Sequence, residues 1–416
     1  MYRLFAPERA AGLNLAALFL VLVLLIATPL RSHIVIALLL LYALSYLWVN
    51  RASLVFNRFD VVVVALLASY AVSRLPVFVL DDFSSRYVSP GLHMAAVIPI
   101  YLMMRHAGSA IQLGAYRRWL EWGAIVGSLG ASGVALYQTQ WLGWQRADGF
   151  LFSINFGYLA CAMAFICFAM LRGSPRKVWL VVAGLAALLA MLLTLTRGSV
   201  IAVPPLLLLL LVLNLDVLGW KRLLMVVGLA MSLAAVAYLA SNSVQQRVAY
   251  SVDEVHSLLA GDVSEAVSSG GRLQLWMAAS HAFKERPLVG LTYPEREALN
   301  AELVEQGVVT DWVLSVDRGH AHSQYFEMLA SGGLLGILAI FGYLLAPGVY
   351  HLRLVILDRN NVYAQTGLVF TTGFAIYCLT EAAIHHEMMT AVYAYMQVNL
   401  LVLAHCLATQ KQAAVT

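Results

Sequence analysis

Unbroken runs of Leu, Val, Ile and Ala recur along the whole chain, each close to the roughly 20 residues that cross a bilayer as a helix. They fall at about 13–30, 33–50, 59–80, 90–107, 119–141, 151–171, 177–196, 198–218, 222–241, 325–350, 364–384 and 390–409. Polarity inside these runs does not alternate in segments of roughly ten residues, as transmembrane barrel strands would require, so the backbone must satisfy its own hydrogen bonds as helices. The expected fold class is an all-α polytopic membrane protein of about twelve transmembrane helices.

One interval breaks the rhythm. Residues 1–241 hold the first nine spans, 242–324 read as a loop domain of ordinary soluble composition, and 325–416 hold the last three spans and a short tail. Within the loop, Val244, Val248, Val252, Val255 and Leu259 are spaced as one face of an amphipathic helix that stops at Gly261. A second helix begins in 268-SSGGRLQLW-276 and ends at Pro287.

Composition agrees: 61% of the 416 residues are hydrophobic, 12% are charged and the mean hydropathy is +0.79. Fifteen of the 26 Lys and Arg residues fall on one set of alternate connections, from Arg3 and Arg9 to Lys411, which places both termini in the cytoplasm and the large loop outside. The first run lacks a small-residue cleavage pattern and reads as a retained helix. Cys161, Cys167, Cys378 and Cys406 all sit in spans as small packing residues, leaving the loop nothing to pair. The formal charge of +4 resides in connections facing anionic membrane lipid, with no compact basic domain for nucleic acid.

Candidate chemistry gathers at the outer edge. The stretch 317-DRGHAHSQYFEMLASGGLLGIL-338 places Asp317, Arg318, His320 and His322 directly before an apolar run. Arg272 follows two glycines at a helix start, where a cation is disfavoured by roughly 0.3–1 kcal/mol unless an anion shares the site. Arg197 sits between two apolar runs and either snorkels to the interface or faces a polar cavity. Arg146 precedes the sixth span and has Asp148 as an alternative partner. Three arginines and a histidine on one face suit a doubly charged, lipid-borne ligand such as a polyprenyl pyrophosphate.

The ordered set TRGS at 196–199, GGRLQLW at 270–276, PLVG at 287–290 and HSQYFEMLASGGLLG at 322–336 resembles the O-antigen ligase and polymerase superfamily of bacterial envelope glycosyltransferases. That resemblance implies that His322 is the essential histidine and that Arg272 and Arg197 contact donor pyrophosphate, with Arg146 a weaker carry-over; His320, beside His322 in sequence, is expected at the substrate-binding surface. The family commonly has Asn after its histidine, where this chain has Ser323, and His320 is an addition. The implied reaction moves a glycan from undecaprenyl pyrophosphate to a sugar hydroxyl of lipid A–core at the periplasmic face of the bacterial inner membrane. It needs no metal and no cofactor: arginines stabilise the departing pyrophosphate and a histidine takes the hydroxyl proton.

Other readings stand beside it. An O-antigen polymerase would use the same donor, but in the family often has two large outer loops. A protein O-oligosaccharyltransferase is related and often longer at its C-terminal end, and a lipid-linked glycan transporter would spread its charges along the midplane. His320 and His322 with Glu381 and His385 form the outline of a metal site, without a closed ligand set in sequence. Asp81 and Asp82 read as a solvated pair near Arg86. His385, His386 and Glu387 read as interfacial groups, and His256 and His281 as residues of loop helices.

Overall fold

The computed structural model of the protein describes residues 2–26, 32–240, 242–259, 269–316 and 320–413, and among these every regular element is helical. The first helices are α1 (Pro7–Leu24), α2 (Ser32–Asn50) and α3 (Arg58–Leu80). Asn57 and Asp60 close the head of α3 with a reciprocal capping box, each side chain taking the other's backbone N–H. A broken pair, α4 (Ser89–Ala95) and α5 (Ile98–His106), leads into α6 (Leu113–Leu136), α7 (Ser153–Ala169) and α8 (Lys177–Leu193). The long α9 (Arg197–Ala240) has non-helical backbone at Asn214 and Gly219.

Among the described residues of the interval read as the loop there are four helices: α10 (Asn242–Leu259), α11 (Ser269–Glu285), α12 (Tyr293–Glu305) and α13 (Trp312–Ser315). The sequence reading gave the first two and missed α12. Its signal was present in Thr292 and Glu295, a capping box three residues apart, with Arg286 holding the Glu295 carboxylate through two bonds of 3.0 and 2.7 Å. The chain then returns to apolar helices α14 (Gln324–Ile340), α15 (Ala346–Leu357), α16 (Val362–Thr380) and α17 (Glu387–Ala413).

Seven of the described spans are long and apolar enough to cross a membrane: α1, α2, α3, Arg197–Asp216, Gln324–Leu357, α16 and α17. The other five runs of the expected twelve take different forms among the described residues. The run at 90–107 is split between two helices of 7 and 9 residues. The helix serving 119–141 begins at Leu113 and carries Arg117, Arg118 and Glu121 in its head. Helices α7 and α8 are apolar but only 17 residues long. The runs at 198–218 and 222–241 both lie in α9, on either side of the non-helical backbone at Gly219.

Packing order follows from which helices are apolar all round. Helices α7, α16 and α17 are buried along nearly their whole length and form the centre, while α2 and α3 keep many apolar residues exposed, as lipid-facing helices do. A buried amide joins three helices within the bundle: Asn14 of α1 donates to Asn399 of α17 at 2.7 Å and to the Tyr116 hydroxyl of α6 at 3.2 Å.

Helix α14 is not continuous. Ser331 is non-helical and Gly333 has φ of +56°. The freed backbone groups pair with 287–291: Leu291 N–H donates to Ala330 O at 2.8 Å, Leu334 N–H to Pro287 O at 2.8 Å and Leu335 N–H to Leu288 O at 3.3 Å. Glycine is required on both sides of this seam. A Cβ on Gly290 would lie 2.5 Å from the Gly332 nitrogen, and one on Gly333 would lie 2.6 Å from the Pro287 oxygen.

Candidate functional site

Two helix ends build the site. At the head of α14, His322 adopts φ of +43°, a left-handed conformation that histidine tolerates better than most residues but still adopts rarely, and Ser323 returns to extended backbone. At the tail of α16, Glu381 is extended as well. The two ends are tied through main chain and side chain: Gln324 N–H donates to Glu381 O at 3.2 Å, and the Ser323 hydroxyl to Cys378 O at 3.2 Å. Ser323, in the place where Asn is common, thus serves to dock α14 on α16.

This junction brings a carboxylate between two imidazoles. His322 Nδ1 lies 3.1 Å from Glu381 Oε2, and His320 Nδ1 lies 3.4 Å from Glu381 Oε1. The two rings meet edge to face with centroids 4.5 Å apart. His320 Nδ1 also accepts the His322 backbone N–H at 3.2 Å, which assigns the proton of neutral His320 to Nε2. On His322 the assignment reverses: a hydrogen bond between Nδ1 and a carboxylate places the proton on Nδ1 and leaves the Nε2 lone pair free.

Electrostatics at these loop positions have separable causes. Burial pushes the His320 pKa below its ordinary value of 6.5, with Glu381 opposing. Burial alone would raise the Glu381 pKa, but the hydrogen bond from His322 and the positive charge of both histidines outweigh it and hold the carboxyl below its usual range. His385, its ring 6.1 Å from that of His320, is pushed down by burial to about 4.

The arginines named from the sequence lie on α9, on α11 and in the α6–α7 connection. Arg197 opens α9, with its guanidinium 5.6 Å from the Tyr250 ring. Its neighbour Gly198 packs so closely on α7 and α16 that an added Cβ would lie 2.5 Å from the Tyr158 hydroxyl and also clash with Thr380, which directly precedes Glu381. Tyr158 and Thr380 share a hydrogen bond of 3.0 Å. Arg272 lies in the first turn of α11. Arg146 spends its Nε–H on Thr194 O at 2.9 Å, docking its loop on the tail of α8 three residues before Arg197. Arg318 and Asp317 lie outside the described residues.

Asp81 and Glu387 have hydrogen-bond partners of their own. Asp81 accepts the Tyr87 hydroxyl at 2.7 Å, a structural bond in the α3–α4 connection. Glu387 takes the Ser89 hydroxyl at 3.1 Å, and His256 is exposed on α10. Ligand atoms of His320, His322 and Glu381 all lie within 4.8 Å of one another, so these three are able to hold a metal ion.

Sequence reasoning missed a second charged centre next to the first. Glu327 is completely buried in α14 and receives Arg296 at 2.9 and 3.0 Å, the Tyr293 hydroxyl at 3.2 Å and the Ala321 backbone N–H at 3.2 Å, with Arg74 of α3 at 3.5 Å. Arg74 also donates to Ser331 O, one of the carbonyls freed where α14 breaks. On the other side, Trp276 donates its indole N–H to Ala321 O at 2.9 Å and stacks on Phe326. The segment bearing the histidines is therefore fixed from α3, α11 and α12 together.

Residues 182–341, which contain Arg197, Arg272, His320, His322 and Glu327, match the O-antigen ligase family. No curated protein matches the chain.

Proposed function

We propose that this O-antigen ligase-family membrane protein transfers a polysaccharide from undecaprenyl pyrophosphate to a sugar hydroxyl of lipid A–core, with His322 as the base. The observation that carries the reading is the pairing of His322 Nδ1 with Glu381, which leaves Nε2 as an acceptor. In the reaction, the acceptor oxygen bonds to the anomeric carbon as the bond to pyrophosphate oxygen breaks. The leaving oxygen takes the electron pair, and the hydroxyl proton passes to His322 Nε2. Positive charge forming on the imidazole meets Glu381, and negative charge growing on pyrophosphate meets Arg197 and Arg272, with Arg146 shaping the same rim. His320 presents its Nε2–H as a donor to acceptor or donor oxygens. A single displacement inverts the anomeric configuration.

The orientation that suits this chemistry places the site and α10–α13 at the periplasmic face of the inner membrane, with both termini cytoplasmic, as the Lys and Arg asymmetry predicts. The test is reconstitution of the full chain with lipid-pyrophosphate-linked glycan and lipid A–core, with products resolved by gel. Glycan on lipid A–core supports ligation. Longer glycan left on its carrier assigns polymerisation, and glycan on an added acceptor protein assigns a protein oligosaccharyltransferase. Movement of intact donor between leaflets without bond cleavage assigns transport.

A second reading rests on the close approach of the His320, His322 and Glu381 ligand atoms, which are the types a divalent transition ion prefers. In that case the ion would polarise the acceptor hydroxyl and Glu381 would serve as a ligand. Transfer undiminished by chelator supports the histidine base, and transfer abolished by chelator and restored by zinc or manganese supports the metal.

A further inference from the structure

Three helix ends meet far from the histidines: the head of α6, the tail of α7 and the head of α8. Arg197 and Tyr158 belong to the other ends of this group, one helix length of about 25 Å away. Here Arg117, Arg118 and Arg176 line an open cleft of about 390 Å³, with Gly114, Gly173 and Pro175 completing its wall.

Charge in the cleft is unbalanced. Glu121 is completely buried beneath it and accepts from Arg117 Nε at 2.9 Å and Arg176 Nη1 at 2.6 Å, so one carboxylate serves two guanidinium groups. Arg118 is exposed and forms no ion pair among the described residues, and exposed Lys177 adds a further positive charge beside Arg176. Arg172 contributes nothing to the excess, because Asp216 neutralises it through bonds of 3.0 and 2.6 Å.

The depth of the cleft is marked independently by tryptophan. Trp119, Trp122 and Trp179 are exposed on the same turns of α6 and α8, as indoles are at the headgroup level of a bilayer, and the Arg176 guanidinium lies 5.8 Å from the Trp122 ring. An anion reaching this place meets arginine forks with free N–H groups, a wall of glycine and proline that leaves it room, and an apolar boundary that strengthens the attraction. The phosphate that is abundant at that depth belongs to lipid.

We propose that the Arg117–Arg118–Arg176 cleft binds a phosphate ester at the membrane surface and takes the headgroup of an anionic phospholipid. The proposal is independent of the transfer reaction and involves none of its residues. Its test is native mass spectrometry of the detergent-purified full chain titrated with phosphatidylglycerol, phosphatidylcholine or inorganic phosphate. Two variants probe the cleft without disturbing buried Glu121. Arg118→Gln removes the unpaired charge, and Gly114→Trp fills the space from a position where a Cβ meets nothing within 4 Å. The wild-type chain is expected to retain phosphatidylglycerol over phosphatidylcholine, Arg118→Gln to lose roughly fivefold of that preference, the effect of one basic group at an anionic surface, and Gly114→Trp to lower retention by filling the space. Equal retention of the two lipids by the wild-type chain, or an undiminished preference in both variants, overturns the proposal. Displacement of phosphatidylglycerol by inorganic phosphate overturns the headgroup assignment and makes the cleft a site for the free anion.

Discussion

His322 and Glu381 stand 59 residues apart in sequence, yet Nδ1 of one lies 3.1 Å from Oε2 of the other. The contact is made by the meeting of two helix ends, since the main-chain carbonyl of Glu381 receives the Gln324 N–H from the first turn of the helix that His322 introduces. A carboxylate so placed sets the tautomer of the imidazole and opposes the charge it acquires.

Replacing Glu381 by Gln keeps the shape and removes the charge. We expect kcat for glycan transfer to fall roughly 10- to 100-fold, less than the roughly 10²–10⁴-fold loss for His322→Ala, with donor KM little changed in both. Steady-state kinetics with purified lipid-linked donor measure this. A Glu381→Gln protein of full kcat would remove Glu381 from the mechanism.

For the arginines the expected loss is in the use of donor. Arg272→Ala and Arg197→Ala should each reduce kcat/KM for the pyrophosphate donor by roughly 10- to 100-fold, the worth of one hydrogen bond to a charged group, and leave acceptor KM alone. Lysine at either position should restore only part of the loss, because a point charge does not reproduce the guanidinium fork. Equal losses towards donor and acceptor would show a general structural defect instead.

Glu327 lies beside the site but should act through stability. Converting it to Gln leaves Arg74, 1% exposed, and Arg296, 9% exposed, without their shared counter-charge, at a cost of roughly 3–5 kcal/mol. Thermal unfolding in detergent, followed by fluorescence, should show a lowered midpoint and a reduced yield of monodisperse protein. An unchanged midpoint would mean that water reaches this centre.

Acid should loosen the same region in two stages. The folded pKa of His385 is about 4 and that of His320 is also below 6.5, whereas both titrate near 6.5 once unfolded. Between those values the unfolded chain takes up protons that the folded chain refuses, so stability is full above pH 6.5 and declines as pH falls through that window. Glu381 acts in the same direction at lower pH, because its depressed folded pKa supplies stability that is present above the ordinary carboxylate value and lost as pH falls through the folded one. Unfolding midpoints should therefore hold from pH 7.5 to about 6.5 and drop from there to about pH 5, and His385→Phe should flatten the decline. A midpoint rising on acidification would reverse the sign and refute the assignment.

The helical membrane class was legible in the sequence because a continuous apolar run has few other solutions in lipid. The number of spans was less legible. Whether an apolar run stays whole depends on interruptions that hydropathy averages away, such as the break between Ala95 and Ile98. The histidines and Arg272 could be found by their unusual places at helix starts, whereas Glu381 came to notice only as a possible metal ligand. Its link to His322 depends on how α14 meets α16, which no local pattern encodes. The Arg74–Glu327–Arg296 centre did leave a trace, an arginine and a glutamate within apolar helices, and opposite charges at membrane depth need one another. Their separation along the chain concealed which pairs with which.

The main-chain seam between 287–291 and the break in α14 bears on modularity. Residues 269–316 are not a detachable cap, because their backbone completes a helix that would otherwise present bare amides and carbonyls in the bundle. Exchanging this interval between related proteins to alter substrate choice will succeed only if the PLVG strip and the SGG break are carried over as one unit. A graft with boundaries drawn at the helix ends would separate the two halves of a single structural joint.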